Sequence, residues 1–318
     1  MRQPHLSNHI WLLLFAGAAV SGCMTVRPLE SWDPQLTVQQ VPLDCRPVVQ
    51  RPREQDEFSA DHPRVAHFVD SFQTRRREFF QDALERSGKY RRRMAAILER
   101  EGVPSELAYV PLIESSYRTG AVSPAGAVGL WQFIRETGRQ YGLRIDTYVD
   151  ERRDPVKSTH AAARYLRDLH AMFGDWPLSL AAYNGGAQRI VRALERRGIQ
   201  SYWDMRHSLP AETNDYVPQF LAAVHIARAP EAHGFAAPDY APLQYDLVRV
   251  RRSLTLRAVA RLAGVSVADL AELNPALVRN VTPPDRHGYR LRIPKGTKER
   301  FKLAYADMGR RTRSSEVS

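Results

Sequence analysis

Residues Glu114 to Phe133 read ESSYRTGAVSPAGAVGLWQF. The stretch opens on one carboxylate, Glu114, at the end of the apolar run Tyr109-Val110-Pro111-Leu112-Ile113. A loop of Ser, Pro and Gly follows, then Gly129-Leu130-Trp131-Gln132-Phe133. A carboxyl set among apolar side chains resists ionisation, because its charged form loses water. An acid still protonated near neutral pH can act as a general acid. A surface Glu closing a helix before a turn is the plainer reading, and the rest of the chain decides between them.

On both sides of this stretch the pattern is helical. Val65, Phe68, Val69, Phe72, Phe79, Phe80, Ala83 and Leu84 fall on one face and predict a helix broken at Gly88. A second carries Tyr90, Met94, Ile97 and Leu98, and Pro104 opens a third that carries Leu107, Val110 and Glu114. Downstream, Trp131 to Tyr141 reads as a helix stopped at Gly142. Asp154-Pro155 is a helix start, with Ala162, Leu166, Leu169 and Phe173 on one face and Gly174 as the stop. Trp176 to Tyr183 ends at Asn184-Gly185-Gly186, Ile190 to Arg197 ends at Gly198, and Glu212 to Arg228 carries Tyr216, Phe220, Ala223 and Ile226. Asp146, Asp150 and Asp154 read as solvated loop charges and a helix cap. No phosphate loop, HExxH or GxSxG occurs in these segments.

Beyond a Pro-bearing linker the period changes. Tyr245 to Val250 alternates like a strand, Leu256–Leu262 and Val267–Leu273 are short helices, and Tyr289 to Pro294 is a second strand. The fold class is therefore mainly α: a helical domain followed by a small βααβ module. The chain divides into residues 1–22, 23–60 (tether), 61–100 (N-terminal helices), 101–228 (central helical domain), 229–243 (linker), 244–296 (module) and 297–318, a polar, largely disordered tail.

The 318 residues carry 46 Lys and Arg against 35 Asp and Glu, a net charge of +11 that favours anionic partners. Arg75-Arg76-Arg77 and Arg91-Arg92-Arg93 interleave with helical apolar positions and read as solvated faces. No zinc-finger spacing or RNP-like motif supports nucleic acid as the partner. Ile10 to Val20 is too short to span a bilayer comfortably and fits a signal-peptide core. Val20-Ser21-Gly22-Cys23 then resembles a bacterial lipobox, in which cleavage after residues 1–22 leaves Cys23 as a lipidated N-terminus. Met24 is not the Asp that marks inner-membrane retention, so this resemblance implies an outer membrane lipoprotein facing the periplasm. Cys45 is the only other cysteine, and no structural disulfide is expected.

Glu114-Ser115, Gly129-Leu130-Trp131-Gln132, Ala182-Tyr183-Asn184-Gly185 and Glu212-Thr213-x-x-Tyr216-Val217 stand in an order that resembles the lytic transglycosylases of the soluble-lytic-transglycosylase type. The resemblance covers about residues 100–228 and implies a goose-lysozyme-like catalytic fold. It implies that Glu114 is the sole catalytic acid and base, and that Ser115, Ser123, Gln132, Tyr183, Asn184 and Tyr216 line the sugar site. Trp131 and Phe133 fit either core or a sugar platform, and Gly185 and Gly186 read as backbone necessity. Most glycosidases flank the bond with two carboxylates; the motifs here supply one. The resemblance implies that the β-1,4 bond between N-acetylmuramic acid and N-acetylglucosamine in peptidoglycan glycan strands is cleaved without water. The products then end in 1,6-anhydro-N-acetylmuramic acid, and no cofactor or metal is needed. A hydrolytic muramidase and a non-catalytic cell-wall-binding lipoprotein are the alternatives. Tyr245, Gly264-Val265-Ser266, Leu273-Asn274-Pro275 and Leu291-Arg292-Ile293-Pro294 resemble a LysM module, which implies glycan binding, although Arg252-Ser253-Leu254-Thr255 replaces the usual Gly-Asp-Thr-Leu turn.

Overall fold

The computed structural model describes residues 58–196, 199–205 and 208–315. The leader, Cys23, Cys45, nearly all of the tether and the stop at Gly198 lie outside the described residues. No described helix is long and apolar enough to cross a membrane.

The helical domain begins with α1 (Pro63–Gln73), α2 (Arg77–Ser87) and α3 (Arg91–Arg100). The single helix expected up to Gly88 is two, broken at Thr74–Arg76. Phe72 and Phe80 show why. Eight residues along a straight helix put two side chains about 12 Å apart, whereas these rings stack 4.5 Å apart in the core. Only a reversal of the chain allows that. The Arg76 guanidinium sits over Phe72 and Phe79 at the corner, and the Thr74 hydroxyl donates to the Asp70 carbonyl.

A 3-10 turn (Ser105–Tyr109) runs into α4 (Val110–Glu114). After an irregular stretch come α5 (Arg135–Gln140) and α6 (Pro155–Phe173). Asp154 caps α6 by accepting from the Val156 and Lys157 amides, and Gly174, with φ +67°, closes it. Asp175 and Pro177 start α7 (Trp176–Gly185) in the same way. α8 (Ala187–Leu194), α9 (Tyr202–Met205) and α10 (Ala211–Arg228) complete the domain. Pro218 lies inside α10 and has no amide to offer the Asn214 carbonyl. The Tyr202 hydroxyl donates to that carbonyl instead, at 2.6 Å. Buried Leu166, Leu169, Phe173, Leu178, Val217, Phe220 and Leu221 knit α6, α7 and α10 together, each stabilising by about 1.5–3 kcal/mol.

Trp131 to Ile134 is not helical: α5 begins only at Arg135. Gln132 has φ +46° and Gly129 φ +85°, and Val128 pairs with Phe133 across the bend. Residues 229–243 are strapped to the domain: Phe235 is in the core, and Arg77 binds the Gly234 carbonyl.

In the module, β1 (Tyr245–Val250) pairs antiparallel with β2 (Tyr289–Pro294), in a register from Tyr245↔Pro294 to Val250↔Tyr289. α11 (Leu256–Ala263) and α12 (Val267–Leu273) lie between them, as expected. The disordered tail is a correction. Lys298–Ser315 forms α13, and Phe301 is buried in the module core with Tyr305 stacked on it. Two aromatic rings one helical turn apart anchor an otherwise polar segment.

The two parts share a seam. Val149 of the helical domain is buried in the module core and pairs with Leu277. The Asp150 amide donates to the Ala276 carbonyl at 2.8 Å, and the Val278 amide to the Tyr148 carbonyl at 3.0 Å. Arg292 of β2 makes a two-pronged contact with Asp154, at 2.6 and 3.0 Å. Asp150 is therefore not a solvated loop charge, and Asp154, the helix cap, is buried as well: they are 7% and 5% exposed. Burial works against ionisation of Asp154, but the charge and hydrogen bonds of Arg292 outweigh it and hold that carboxyl below the usual range. Asp146 does sit at the surface, capping the turn through the Tyr148 and Val149 amides.

Candidate active site

Glu114 is the last residue of α4, and the backbone turns sharply after it. Ser116 and Tyr117 have φ +50° and +55°, a region that costs non-glycine residues energy. Tyr117 sustains it: it is fully buried, its amide donates to the Pro111 carbonyl, and its hydroxyl donates to the Ala108 carbonyl. The turn leaves Glu114 partly exposed at the helix end, facing α7 and α10.

The Tyr216 hydroxyl, on α10, donates to Glu114 Oε1 at 2.6 Å. Loss of water pushes the Glu114 carboxyl up from 4.5 to about 7. The Tyr216 hydrogen bond pulls the other way, and the charge of Glu212, one turn before Tyr216 on α10, adds to the rise. Tyr183 and Tyr216 are both held well above the ordinary phenol range, first by burial and then by Glu114. They stay neutral and keep their protons to donate. The group is an acid whose carboxyl is largely stripped of water and poised near neutrality, with a phenol holding one of its oxygens.

The Gly129–Phe133 loop lies beside it. Ser115 Oγ donates to the Leu130 carbonyl at 2.9 Å, and the Tyr183 hydroxyl to the Trp131 carbonyl at 2.6 Å. Gln132 Nε2 folds back on the Gly129 carbonyl at 2.8 Å. Asn184 Nδ2 reaches Glu212 Oε1 at 3.4 Å. Glu114, Ser115, Gln132, Tyr183, Asn184 and Tyr216 thus form one connected cluster. Ser123 stands apart in the preceding turn, where its Oγ accepts from the Ala127 amide. Trp131 is fully buried, with its indole N–H on Thr159, and Phe133 is buried too, so both are core rather than platform. Gly185 has a packing reason: a Cβ there would come within 2.7 Å of Thr213 on α10. Among the described residues no group of three or more His, Cys, Asp or Glu could hold a metal ion.

Sequence reading quoted Glu212 within a motif but gave it no role, and it did not single out Arg152. The signal for Glu212 was present, since positions 212 and 216 share a helix face. Arg152 gave none, because the loop carbonyls it holds lie 26 and 19 residues back along the chain.

Comparison with known proteins matches two stretches of the chain. The transglycosylase SLT domain family matches residues 94–206, and the LysM-like domain of lytic transglycosylase MltD matches residues 244–310. Membrane-bound lytic murein transglycosylase D of Escherichia coli is 36% identical over 207 residues, 63% of this chain and 45% of that protein. Membrane-bound lytic murein transglycosylase F of Alcanivorax borkumensis is 31% identical over 155 residues, 45% of this chain and 31% of that protein. The chain thus spans less than half the length of these relatives. The solved lytic transglycosylase Slt of Pseudomonas aeruginosa aligns at 22% identity over 45% of this chain and 24% of its own, with a TM-score of 0.38, a likeness too distant to place residues. The chain carries a transglycosylase SLT domain followed by a LysM-like domain of the MltD type.

Proposed function

We propose that this protein is a peptidoglycan lytic transglycosylase with Glu114 as its only proton-transfer group. The observation that carries the reading is the Glu114 carboxyl, pushed up to about 7 and held by Tyr216 at 2.6 Å inside a transglycosylase SLT domain. The protonated acid donates to the glycosidic oxygen as the bond from C1 of N-acetylmuramic acid breaks, with the 2-acetamido group assisting. The resulting carboxylate takes the proton of the C6 hydroxyl of the same sugar as its oxygen bonds to C1. The proton returns to Glu114, no water is consumed, and the ring closes as the 1,6-anhydro sugar. A pKa near the working pH suits a group that must give and take in turn.

Gln132 and Asn184, both partly exposed, supply amides for N-acetyl groups. Ser115 and Tyr183 act as struts, since their hydroxyls are spent on the loop carbonyls. The LysM-like domain adds weak hold on the glycan. Cys23 is the lipidated N-terminus that tethers the enzyme to the outer membrane, facing the periplasm; the membrane-bound relatives support an address in the cell envelope. The test is digestion of purified peptidoglycan followed by mass spectrometry. Anhydro-ended muropeptides, lighter by one water than hydrolytic ones, are expected as the main product. Reducing-end products select the muramidase, and absence of products selects a binding protein.

A further inference from the structure

The seam between the two domains runs directly behind the active-site loop. Arg152 is 4% exposed, and all three guanidinium nitrogens are hydrogen-bonded. Nε and Nη2 grip the two oxygens of Asp150 at 2.9 and 2.8 Å. Nη1 donates to the carbonyls of Gly126 and Phe133, both at 3.0 Å. Those carbonyls are the two ends of the loop whose middle is tied to Ser115 and Tyr183. The fit leaves no play: a Cβ on Gly129 would stand 1.9 Å from the Arg152 carbonyl oxygen.

On the other side, the segment that carries Asp150 is held by the C-terminal module. Val149 is part of that module's core, Asp150 donates its amide to Ala276, and Tyr148 accepts from Val278. Arg292 then closes the seam on Asp154, two residues beyond Arg152. A buried guanidinium has no water to fall back on, so its four hydrogen bonds stand or fall with the place of residues 148–150.

We propose that Arg152 is a positioning residue for the transglycosylase reaction, and that the C-terminal module, seated on residues 148–150, is a structural brace of the 126–133 loop as well as a glycan-binding unit. The proposal rests on the transglycosylase reading only for its kinetic arm. When the brace is loosened, the loop swings away from Glu114 and water reaches the carboxyl. Its raised pKa then falls toward the ordinary value. The groups facing Glu114 from the surrounding helices are Tyr183 of α7 and Tyr216 and Glu212 of α10, and no hydrogen bond described for Arg152 goes to either helix.

The test uses full-length Arg152→Met, Arg152→Lys and Arg292→Met. Hydrogen exchange is followed in the folded proteins, and formation of anhydro product is followed against pH. Arg152→Met is expected to lower kcat by about 10- to 100-fold, the scale set by misplaced reacting groups, with a smaller change in KM. Its alkaline limb should move to lower pH, and amides of residues 126–133 should exchange faster. Arg152→Lys should restore part of both. Arg292→Met, changed only in the module, should also speed exchange at 126–133 while α7 stays protected. A folded Arg152→Met with wild-type pH limb and loop exchange overturns the proposal. If Arg152→Met does not fold, Arg292→Met decides: faster exchange confined to 244–294 overturns the brace. A wild type that makes no anhydro product sinks the enzymatic reading, while the exchange result still stands for or against the brace.

Discussion

Replacing Glu114 with Gln removes the proton-transfer group, but it also has a measurable effect on folding. The folded carboxyl titrates at about 7 against an ordinary 4.5. Below pH 4.5 the folded and unfolded chains both hold the proton, so the side chain contributes no penalty. Between 4.5 and 7 the unfolded chain ionises and the folded one does not, and stability falls by about 1.4 kcal/mol per pH unit. Above pH 7 both forms are ionised, and the loss levels off at about 3 kcal/mol. Gln has nearly the same shape, stays neutral, and keeps an oxygen for the Tyr216 hydroxyl. Glu114→Gln is therefore expected to match wild type at pH 4.5 and to exceed it by about 3 kcal/mol at pH 8. For a chain of this size that is roughly 6–12 °C in melting temperature. Denaturant unfolding of both proteins from pH 4.5 to 8 gives the curve. A difference that does not change with pH would show that Glu114 is not the strained acid described here, whatever the activity assay says. In digestion of peptidoglycan the same variant should lose at least the upper end of the roughly 100- to 10,000-fold that acid–base catalysis supplies.

Tyr216→Phe removes the one interaction that favours ionised Glu114, so the alkaline limb of the rate profile should move up in pH; a limb that moves down contradicts the assigned hydrogen bond. Glu212→Gln removes a charge that raises the Glu114 pKa, so the limb should move down, and thermal unfolding should hardly change because Glu212 is exposed. Asp150→Asn and Asp154→Asn each leave a buried Arg side chain short of its anionic partner, and each should cost on the order of 3–5 kcal/mol by denaturant unfolding, whereas the exposed Asp146→Asn should stay within about 1 kcal/mol. Cys23→Ala should leave the protein unprocessed or released from the outer-membrane fraction, and normal fractionation with a normal mature mass would refute the anchor.

What was legible in the sequence was what local chemistry decides. Asp154-Pro155 and Asp175-Trp176-Pro177 announce α6 and α7 because cap and first turn are neighbours in the chain. The Gly after each helix needs only its own backbone freedom. The βααβ order followed from a change of period. Four things escaped, and all but the first are settled by residues far away. The break at Thr74–Arg76 exists so that Phe72 and Phe80 can stack. The unwound Trp131–Ile134 is held by Arg152. α13 is ordered by packing Phe301 into a core built from other segments. Asp150 looks like a loop charge, and Asp154 like a cap alone, until Ala276 and Arg292 arrive from more than a hundred residues downstream.

The same division applies to the site. The residues around Glu114 could be named from motifs, but their balance could not. A Tyr hydroxyl at 2.6 Å favours the carboxylate and, acting alone, would hold Glu114 ionised at neutral pH, useless as an acid. Burial opposes it, and the charge of Glu212 tips the sum further toward the acid. Beside Glu114, the 126–133 loop is fixed at its middle by Ser115 and Tyr183 and at its ends by Arg152. A single carboxyl can serve both halves of the reaction because these opposed influences leave its pKa near the working pH, where donating and accepting cost about the same.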